Sequence, residues 1–114
     1  MKTIFFPEHF KKQIKSLKKK YPQVKDDLLE RIDAFDPDKE IAIGRSIYKI
    51  RIPSRDMQKG KSGGFRSYIY VYFKKEILVP LCIYPKSETE NISENELKHH
   101  FDKAIQELLS LQNL

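Results

Sequence analysis

Residues 46–73, SIYKIRIPSRDMQKGKSGGFRSYIYVYF, contain two apolar runs joined by a polar connection with three glycines. Side chains alternate between the two faces of a β-strand, and the run at 46–52 shows this alternation. One of its faces is predicted to be apolar: Tyr48, Ile50 and Ile52. The opposite face carries Lys49 and Arg51 beside Ile47. The run is therefore predicted to be a strand with one face in the core and two cations on the other.

The run at 65–73 is predicted to be a second strand of the same kind. Its inward face is expected to be apolar: Phe65, Ile69, Val71 and Phe73. Its opposite face begins with Arg66 and continues with three tyrosines: Tyr68, Tyr70 and Tyr72. Residues 77–84 are apolar throughout, as expected of a strand covered on both faces. Pro80 cannot donate a hydrogen bond to a neighbouring strand, so we expect a bulge or an unpaired edge position there.

Helical periodicity precedes and follows these strands. Residues 4–6 are predicted to form a short opening strand that ends at Pro7. Two helices follow, with apolar residues at helical spacing: Phe10, Ile14, Leu17 and Tyr21 in the first, and Val24, Leu28, Ile32 and Phe35 in the second. Ser93 and Glu96 form a capping box before a last helix. The order β-α-α-β-β-β-α predicts a single α+β domain over residues 1–114. It has an N-terminal helical hairpin, a small and mainly antiparallel sheet, and a C-terminal helix.

Charge is unevenly distributed along the chain. The net charge is +6, but residues 41–75 hold nine cations against a single acid, whereas residues 26–40 hold seven acids against two cations. Six of the cations lie within residues 49–66: Lys49, Arg51, Arg55, Lys59, Lys61 and Arg66. Cations gathered on one surface repel one another, so this segment predicts a binding surface for a polyanion such as nucleic acid.

Several classes of protein are disfavoured. Cys82 is the only cysteine, so no disulfide and no thiolate metal site are predicted, and its apolar neighbours predict a buried, unreactive thiol. His99 and His100 are adjacent, hence on different helical faces, and neither they nor His9 are expected to bind a metal. No cofactor is predicted. No stretch approaches the ~20 apolar residues of a membrane span, and the N-terminus has no signal-peptide core. We therefore expect a cytoplasmic protein without membrane contact.

Three motifs, in the same order along the chain, resemble the RelE/ParE toxins. They are YKIR at 48–51, GKSGGFR at 60–66 and IYPKS at 83–87. The glycine-containing motif is most similar to the HigB-like branch of this superfamily, and the likeness extends over nearly the whole chain. It implies a RelE-like fold and the toxic half of a type II toxin–antitoxin pair. It further implies an mRNA interferase, that is, a ribosome-dependent endoribonuclease that inhibits translation. The implied partners are a cognate antitoxin protein, the ribosome and mRNA.

The resemblance also implies site residues. Cations that match Lys49, Arg51 and Arg66 serve the active site in the family. Lys49 is therefore expected to act as base or phosphate ligand, and Arg51 and Arg66 as clamps on the transition state. Lys86 is a further catalytic candidate, because the family also carries basic residues after the last strand.

The chain departs from the best-studied branch of the family at three places. That branch has a second lysine where Arg51 stands, an arginine at Ser87, and a base-stacking tyrosine near residues 91–93. Tyr68, Tyr70 and Tyr84 are candidate replacements for the stacking tyrosine, because an aromatic face beside cations suits unpaired bases. The predicted RNA-binding cations are Arg55, Lys59 and Lys61.

These residue types suit RNA cleavage without a metal. The neighbouring 2′-hydroxyl attacks the phosphorus, so the protein needs only to orient that hydroxyl, move protons and stabilise the developing charge. Arginine binds phosphate in a bidentate manner, whereas lysine can also give up its proton. The like charge of Arg51 favours loss of the Lys49 proton, which makes Lys49 a candidate base. No histidine of the sequence lies near these cations, so the general acid is not assigned.

Two other functions are consistent with the sequence. A ParE-like inhibitor of DNA gyrase needs no nuclease centre. A catalytically degenerate member, which binds only its antitoxin or RNA, is favoured by the absence of the family arginine and tyrosine.

Overall fold

The elements of the fold follow the predicted order, with one additional strand. The computed structural model describes residues 3–57, 63–89 and 91–112. Its elements in chain order are β1 (Thr3–Ile4), α1 (Glu8–Lys18), α2 (Val24–Asp33), β2 (Ile41–Gly44), β3 (Ile47–Ile52), β4 (Phe65–Tyr72), a 3-10 turn (Phe73–Lys75), β5 (Ile77–Pro85) and α3 (Glu94–Gln112). The sheet order is β1-β5-β4-β3-β2, and only the β1–β5 pair is parallel. The predicted α+β class with a mainly antiparallel sheet is confirmed.

The sheet separates two apolar clusters, as the alternation of side chains predicted. The helical hairpin α1–α2 covers one face, where its core residues pack against those of the strands: Phe10, Leu28, Ile32, Ile50, Ile52, Phe65 and Ile69. Helix α3 covers part of the other face and packs there on a second cluster: Ile47, Tyr68, Val79, Leu81, Cys82, Ala104 and Leu108. Cys82 is buried, as expected. Phe73 was predicted to face the core, but it lies in the 3-10 turn after β4 and is 55% exposed.

Strand β2 was not predicted, and its surroundings explain why. All four of its residues are exposed, so no alternation of apolar and polar side chains marks it. It joins β3 through a two-residue turn at Arg45 and Ser46, which both have positive φ (54° and 63°). Such turns usually carry Asn or Gly at these positions, so an Arg-Ser pair gives no hairpin signal.

Pro80 lies at a bulge, which confirms the expectation for that position. The register of β4 and β5 shifts there, since Tyr68 pairs with Cys82 whereas Ile69 pairs with Pro80.

Strand β1 pairs with only the first residues of β5. Further along the same edge of β5, side chains of α1 form the hydrogen bonds that a neighbouring strand would otherwise form. His9 Nε2 donates to the Leu81 carbonyl at 2.6 Å, and Gln13 Oε1 accepts from the Ile83 N–H at 3.1 Å.

Among the helices that the structure describes, none combines the length and apolar character needed to cross a bilayer.

Candidate nucleic-acid interface

The register of the sheet brings the predicted cations of two strands together. Arg51 of β3 lies opposite Arg66 of β4, and two pairs further along the strands Lys49 lies opposite Tyr68. Residues paired across antiparallel strands point to the same face, and so do residues two apart in one strand. Lys49, Arg51 and Arg66 therefore share one sheet face, the face that α3 covers only in part. Tyr84 of β5 lies opposite Arg66 and extends the row.

A groove opens beside these cations. Helix α3 packs over the centre of the sheet, where Phe101 meets Tyr70 edge-to-face with ring centroids 5.0 Å apart. Between the start of α3 and the β2–β3 hairpin is an open space of about 600 Å³. Its walls carry cations, amides and apolar side chains, among them Arg45, Lys49, Asn91, Lys98, Ile43 and Ile92. We call this space the basic groove.

Lys49 is held at one wall of the basic groove. Its ammonium group donates a hydrogen bond to the side-chain oxygen of Asn91, in the segment between β5 and α3. That segment is fixed by the start of α3, where the Ser93 hydroxyl accepts from the Glu96 N–H at 3.1 Å and the Ser93 carbonyl from the Leu97 N–H at 3.0 Å. The predicted cap of α3 therefore positions a contact to the candidate catalytic lysine.

The end of β3 that carries Arg51 is fixed from the helical hairpin. Arg31 of α2 donates from Nε to the Arg51 carbonyl at 2.9 Å and from its two terminal nitrogens to Glu40 at 3.2 and 2.5 Å. Burial acts to raise the pKa of Glu40, but hydrogen bonds from Arg31 and from the Asp36 N–H outweigh burial, so the pKa is lowered. Arg51 itself is exposed, whereas Arg66 is only 6% exposed. Arg51 is therefore solvated, whereas Arg66 is buried in the surface of the sheet.

The tyrosines predicted to stack on bases differ in exposure. Tyr68 is 4% exposed and belongs to the cluster beneath α3, so its ring is part of the scaffold and is not accessible to an RNA base. This corrects the prediction for Tyr68. Tyr84 is half-buried with its ring centroid 6.4 Å from that of Tyr68. Burial, followed by a hydrogen bond with Tyr68, raises the pKa of Tyr84, so its phenol keeps its proton at neutral pH.

Arg55 lies on the other side of the sheet and is not part of this surface. Its guanidinium pairs with the buried carboxylate of Asp27 at 3.3 Å and also with Glu30, and its N–H donates to Asp27 at 3.1 Å. These contacts attach the segment after β3 to α2, and the RNA contact of Arg55 stays a prediction. Lys59 and Lys61 lie outside the described residues.

Lys86 lies at the same end of the sheet as Arg51 and Arg66. Its N–H donates to the Gly64 carbonyl at 3.1 Å, which joins the end of β5 to the start of β4. Within the described ranges, no three histidine, cysteine or carboxylate side chains come together as a metal site would require.

Sequence reasoning missed the basic groove and the role of Asn91 in it. The bond between Lys49 and Asn91 joins residues 42 positions apart, and no local pattern reports it. The available signal was the cap at Ser93, which places Asn91 immediately before a helix that must pack back on the sheet.

Comparison with known proteins assigns this fold to a family. Residues 2–113 match the family described as RelE toxin of the RelE / RelB toxin–antitoxin system. The chain therefore belongs to the RelE toxin family, which confirms the resemblance to the RelE/ParE superfamily.

A solved structure shows the same fold. The E. coli toxin RelE, as a double arginine-to-alanine mutant in the free state, superposes with a TM-score of 0.52 at 17% sequence identity. The match covers 93% of this chain and 96% of that chain. No curated protein sequence matches this chain. The HigB-like branch stays a prediction from the motif at 60–66.

Proposed function

We propose that this protein is the toxin of a type II toxin–antitoxin pair and acts as a ribosome-dependent mRNA endoribonuclease of the HigB-like branch. The observation that carries the proposal is the convergence of Lys49, Arg51 and Arg66 on one open sheet face beside the basic groove. Membership of the RelE toxin family supports both the toxic function and a cognate antitoxin as partner.

The proposed reaction uses a nucleophile from the RNA. The 2′-oxygen forms a bond to the adjacent phosphorus while the bond from phosphorus to the 5′-oxygen breaks, which leaves a 2′,3′-cyclic phosphate and a 5′-hydroxyl. The proton of the 2′-hydroxyl is lost and the 5′-oxygen gains one. Arginine binds phosphate oxygens in a bidentate manner, so the part of Arg51 is to bind the non-bridging oxygens as negative charge builds up. Arg66 is only 6% exposed, so its part is to add positive charge from within the sheet surface.

Tyr84 is our candidate proton donor in this scheme. It lies opposite Arg66 in the register and points to the same face. Its phenol can donate a hydrogen bond to a phosphate oxygen or a proton to the leaving 5′-oxygen, and its raised pKa makes it a weaker acid than a solvated tyrosine. Lys86 is retained as a phosphate contact at the same end of the sheet.

The test is to map RNA 5′ ends after a brief, controlled induction of the toxin. The variant is Lys49→Ala combined with Arg51→Ala, because these side chains are half-buried and exposed and their removal leaves the core intact. The matched control removes two exposed lysines on the 3-10 turn at the far end of β4, Lys74→Ala with Lys75→Ala. Circular dichroism verifies that both double variants are folded.

We expect new 5′ ends inside translated reading frames for the wild type and for the control, and their loss in the site variant. Purified protein should cleave message on programmed ribosomes and spare the same RNA free in solution. Undiminished cleavage by a folded site variant contradicts the proposed site. Growth arrest with intact messages and a DNA-damage response would instead identify a gyrase inhibitor. Absence of both effects would identify a degenerate binding protein.

A further inference from the structure

We propose that the basic groove binds one unpaired base of the RNA between Ile43 and Ile92, and that the side-chain amide of Asn95 recognises the edge of that base. The inference deepens the proposed function and rests on it for RNA as the ligand. It gives the protein a base site that does not depend on Tyr68, whose ring is buried.

The first step is the apolar surface of the groove, which comes from two sides. Ile43 of β2 is 43% exposed on the hairpin wall. Ile92 is half-buried on the opposite wall, in the segment that leads into α3. Phe101, which also lines the groove, is held edge-to-face against Tyr70. Two apolar walls suit the flat faces of an extruded base, which proteins place between apolar or aromatic side chains.

The second step is the amide at the rim. Asn95 lies in the first turn of α3, lines the groove and is exposed. An amide both donates and accepts hydrogen bonds, as the edge of an unpaired base does. Asn91 is engaged with Lys49, whereas the Asn95 side chain forms no hydrogen bond among the described residues. Asn95 is therefore the amide available to a base.

The third step is the position of the groove, which favours RNA over a protein segment as the occupant. The groove adjoins the sheet face that carries Arg51, so a base in it would be joined to a phosphate on that face. Exposed cations stand on both walls, Arg45 on the hairpin and Lys98 on α3, with Glu94 beside them. The space of about 600 Å³ is within the range of about 300–1,000 Å³ that small ligands occupy, and it admits a nucleotide.

The experiment locates the base by NMR of the full chain with ¹³C-labelled isoleucine methyl groups. The probe is a trinucleotide RNA with 2′-O-methyl riboses, which lacks the nucleophile of the proposed reaction. Three matched probes each lack one base and keep every phosphate. The signals of Ile43 and Ile92, assigned through Ile43→Val and Ile92→Val, should shift with the complete probe and stay unshifted with one of the three abasic probes. Ile41, an exposed isoleucine of the same strand that does not line the groove, should not shift with any probe.

Two variants measure the contribution of the apolar wall. Ile43→Ser should weaken binding of the complete probe by roughly five- to tenfold, the lower end of what a base contact contributes. It should leave binding of the matching abasic probe unchanged, because that probe has no base to lose. The matched control Ile41→Ser should alter neither affinity, and circular dichroism verifies that both variants are folded.

Three results would overturn the proposal. Equal shifts of Ile43 with the complete and with all three abasic probes would show that the groove binds only the RNA backbone. Unshifted Ile43 and Ile92 signals at millimolar RNA would exclude a base site. Shifts of these signals with purified antitoxin, and not with RNA, would identify a groove for a protein partner.

Mapping of RNA 5′ ends tests the recognition by Asn95 in the cleavage reaction. Asn95→Ala should relax the base preference at one position of the cleaved codon and keep the preference at the others, whereas a merely structural role would lower cleavage at all sites alike. An unchanged preference in Asn95→Ala, or a wild type without preference at any position, would contradict this role.

The base site and the nuclease fail separately. Base-dependent shifts in a protein that cleaves no message would uphold the base site and refute the proposed nuclease. Cleavage of message without base-dependent shifts would refute the base site alone.

Discussion

Replacement of Gly64 by alanine tests how the start of β4 is fitted against β3. Gly64 has φ of +91°, a region that side chains with a Cβ rarely adopt. An added Cβ would lie 2.6 Å from the backbone oxygen of Ile52. Since Ile52 pairs with Phe65, the next residue, the clash falls on the first pair of the β3–β4 ladder. Backbone must move, because no flexible side chain is there to give way.

The expected magnitude has two parts. The left-handed backbone costs a non-glycine residue roughly 1–2 kcal/mol. Forcing a methyl group into a packed backbone contact adds roughly 1–3 kcal/mol. Gly64→Ala should therefore lower the free energy of unfolding by roughly 2–5 kcal/mol, a large part of the ~5–15 kcal/mol available to a small domain.

Gly44 provides the matched control. It too has a positive φ, of +104°, but a Cβ built there meets no atom within 4 Å. Gly44→Ala carries only the conformational part, about 1–2 kcal/mol. The effect of alanine on the unfolded chain is common to both variants. Urea unfolding followed by circular dichroism gives the two values. Equal losses of stability would refute the argument that close approach to Ile52 requires the glycine.

Two further predictions concern buried titratable groups. Burial, the nearby His9 ring and other cations lower the pKa of His100, against the pull of Glu96, so the folded protein disfavours its protonation. Stability should be full above the unfolded pKa of about 6.5 and fall as the pH drops below it. Urea midpoints at pH 7.5 and 5.5 should therefore show a smaller drop for His100→Gln than for the wild type, and an equal drop in the two proteins would contradict this role of His100. Burial raises the pKa of Cys82 to about 12. Its thiol should therefore resist an aromatic disulfide reagent at pH 8 in the native protein and react at once in urea. Rapid reaction of the native protein would contradict the buried position of Cys82.

Strand faces were predictable because alternation is a local property. The sequence placed Ile50 and Ile52 on one face of β3 and Lys49 and Arg51 on the other, and the structure agrees. Pro80 likewise indicated its bulge through the chemistry of its own backbone. Such features depend on one or two neighbouring residues, and a single sequence reports them well.

Partner choice among charged residues was less predictable, because it depends on contacts distant in sequence. Arg55 was counted with the cations for RNA, yet its partners Asp27 and Glu30 lie on α2. A signal was present, since Asp27 falls on the apolar stripe of α2 between Val24 and Leu28. A carboxylate at a core position needs a cation, and the loop after β3 supplies it.

The same contacts show on which side of the sheet the acidic block of the sequence lies. The acidic block at 26–40 forms α2 and the segment after it, and both lie on the hairpin side of the sheet. There Glu40 binds Arg31 and Asp27 binds Arg55, so these two arginines are paired within the fold. The cations of the strands project to the opposite face, away from that block. The sheet therefore separates the cations of β3 and β4 from the acids of the block at 26–40, two of which pair with Arg31 and Arg55 instead.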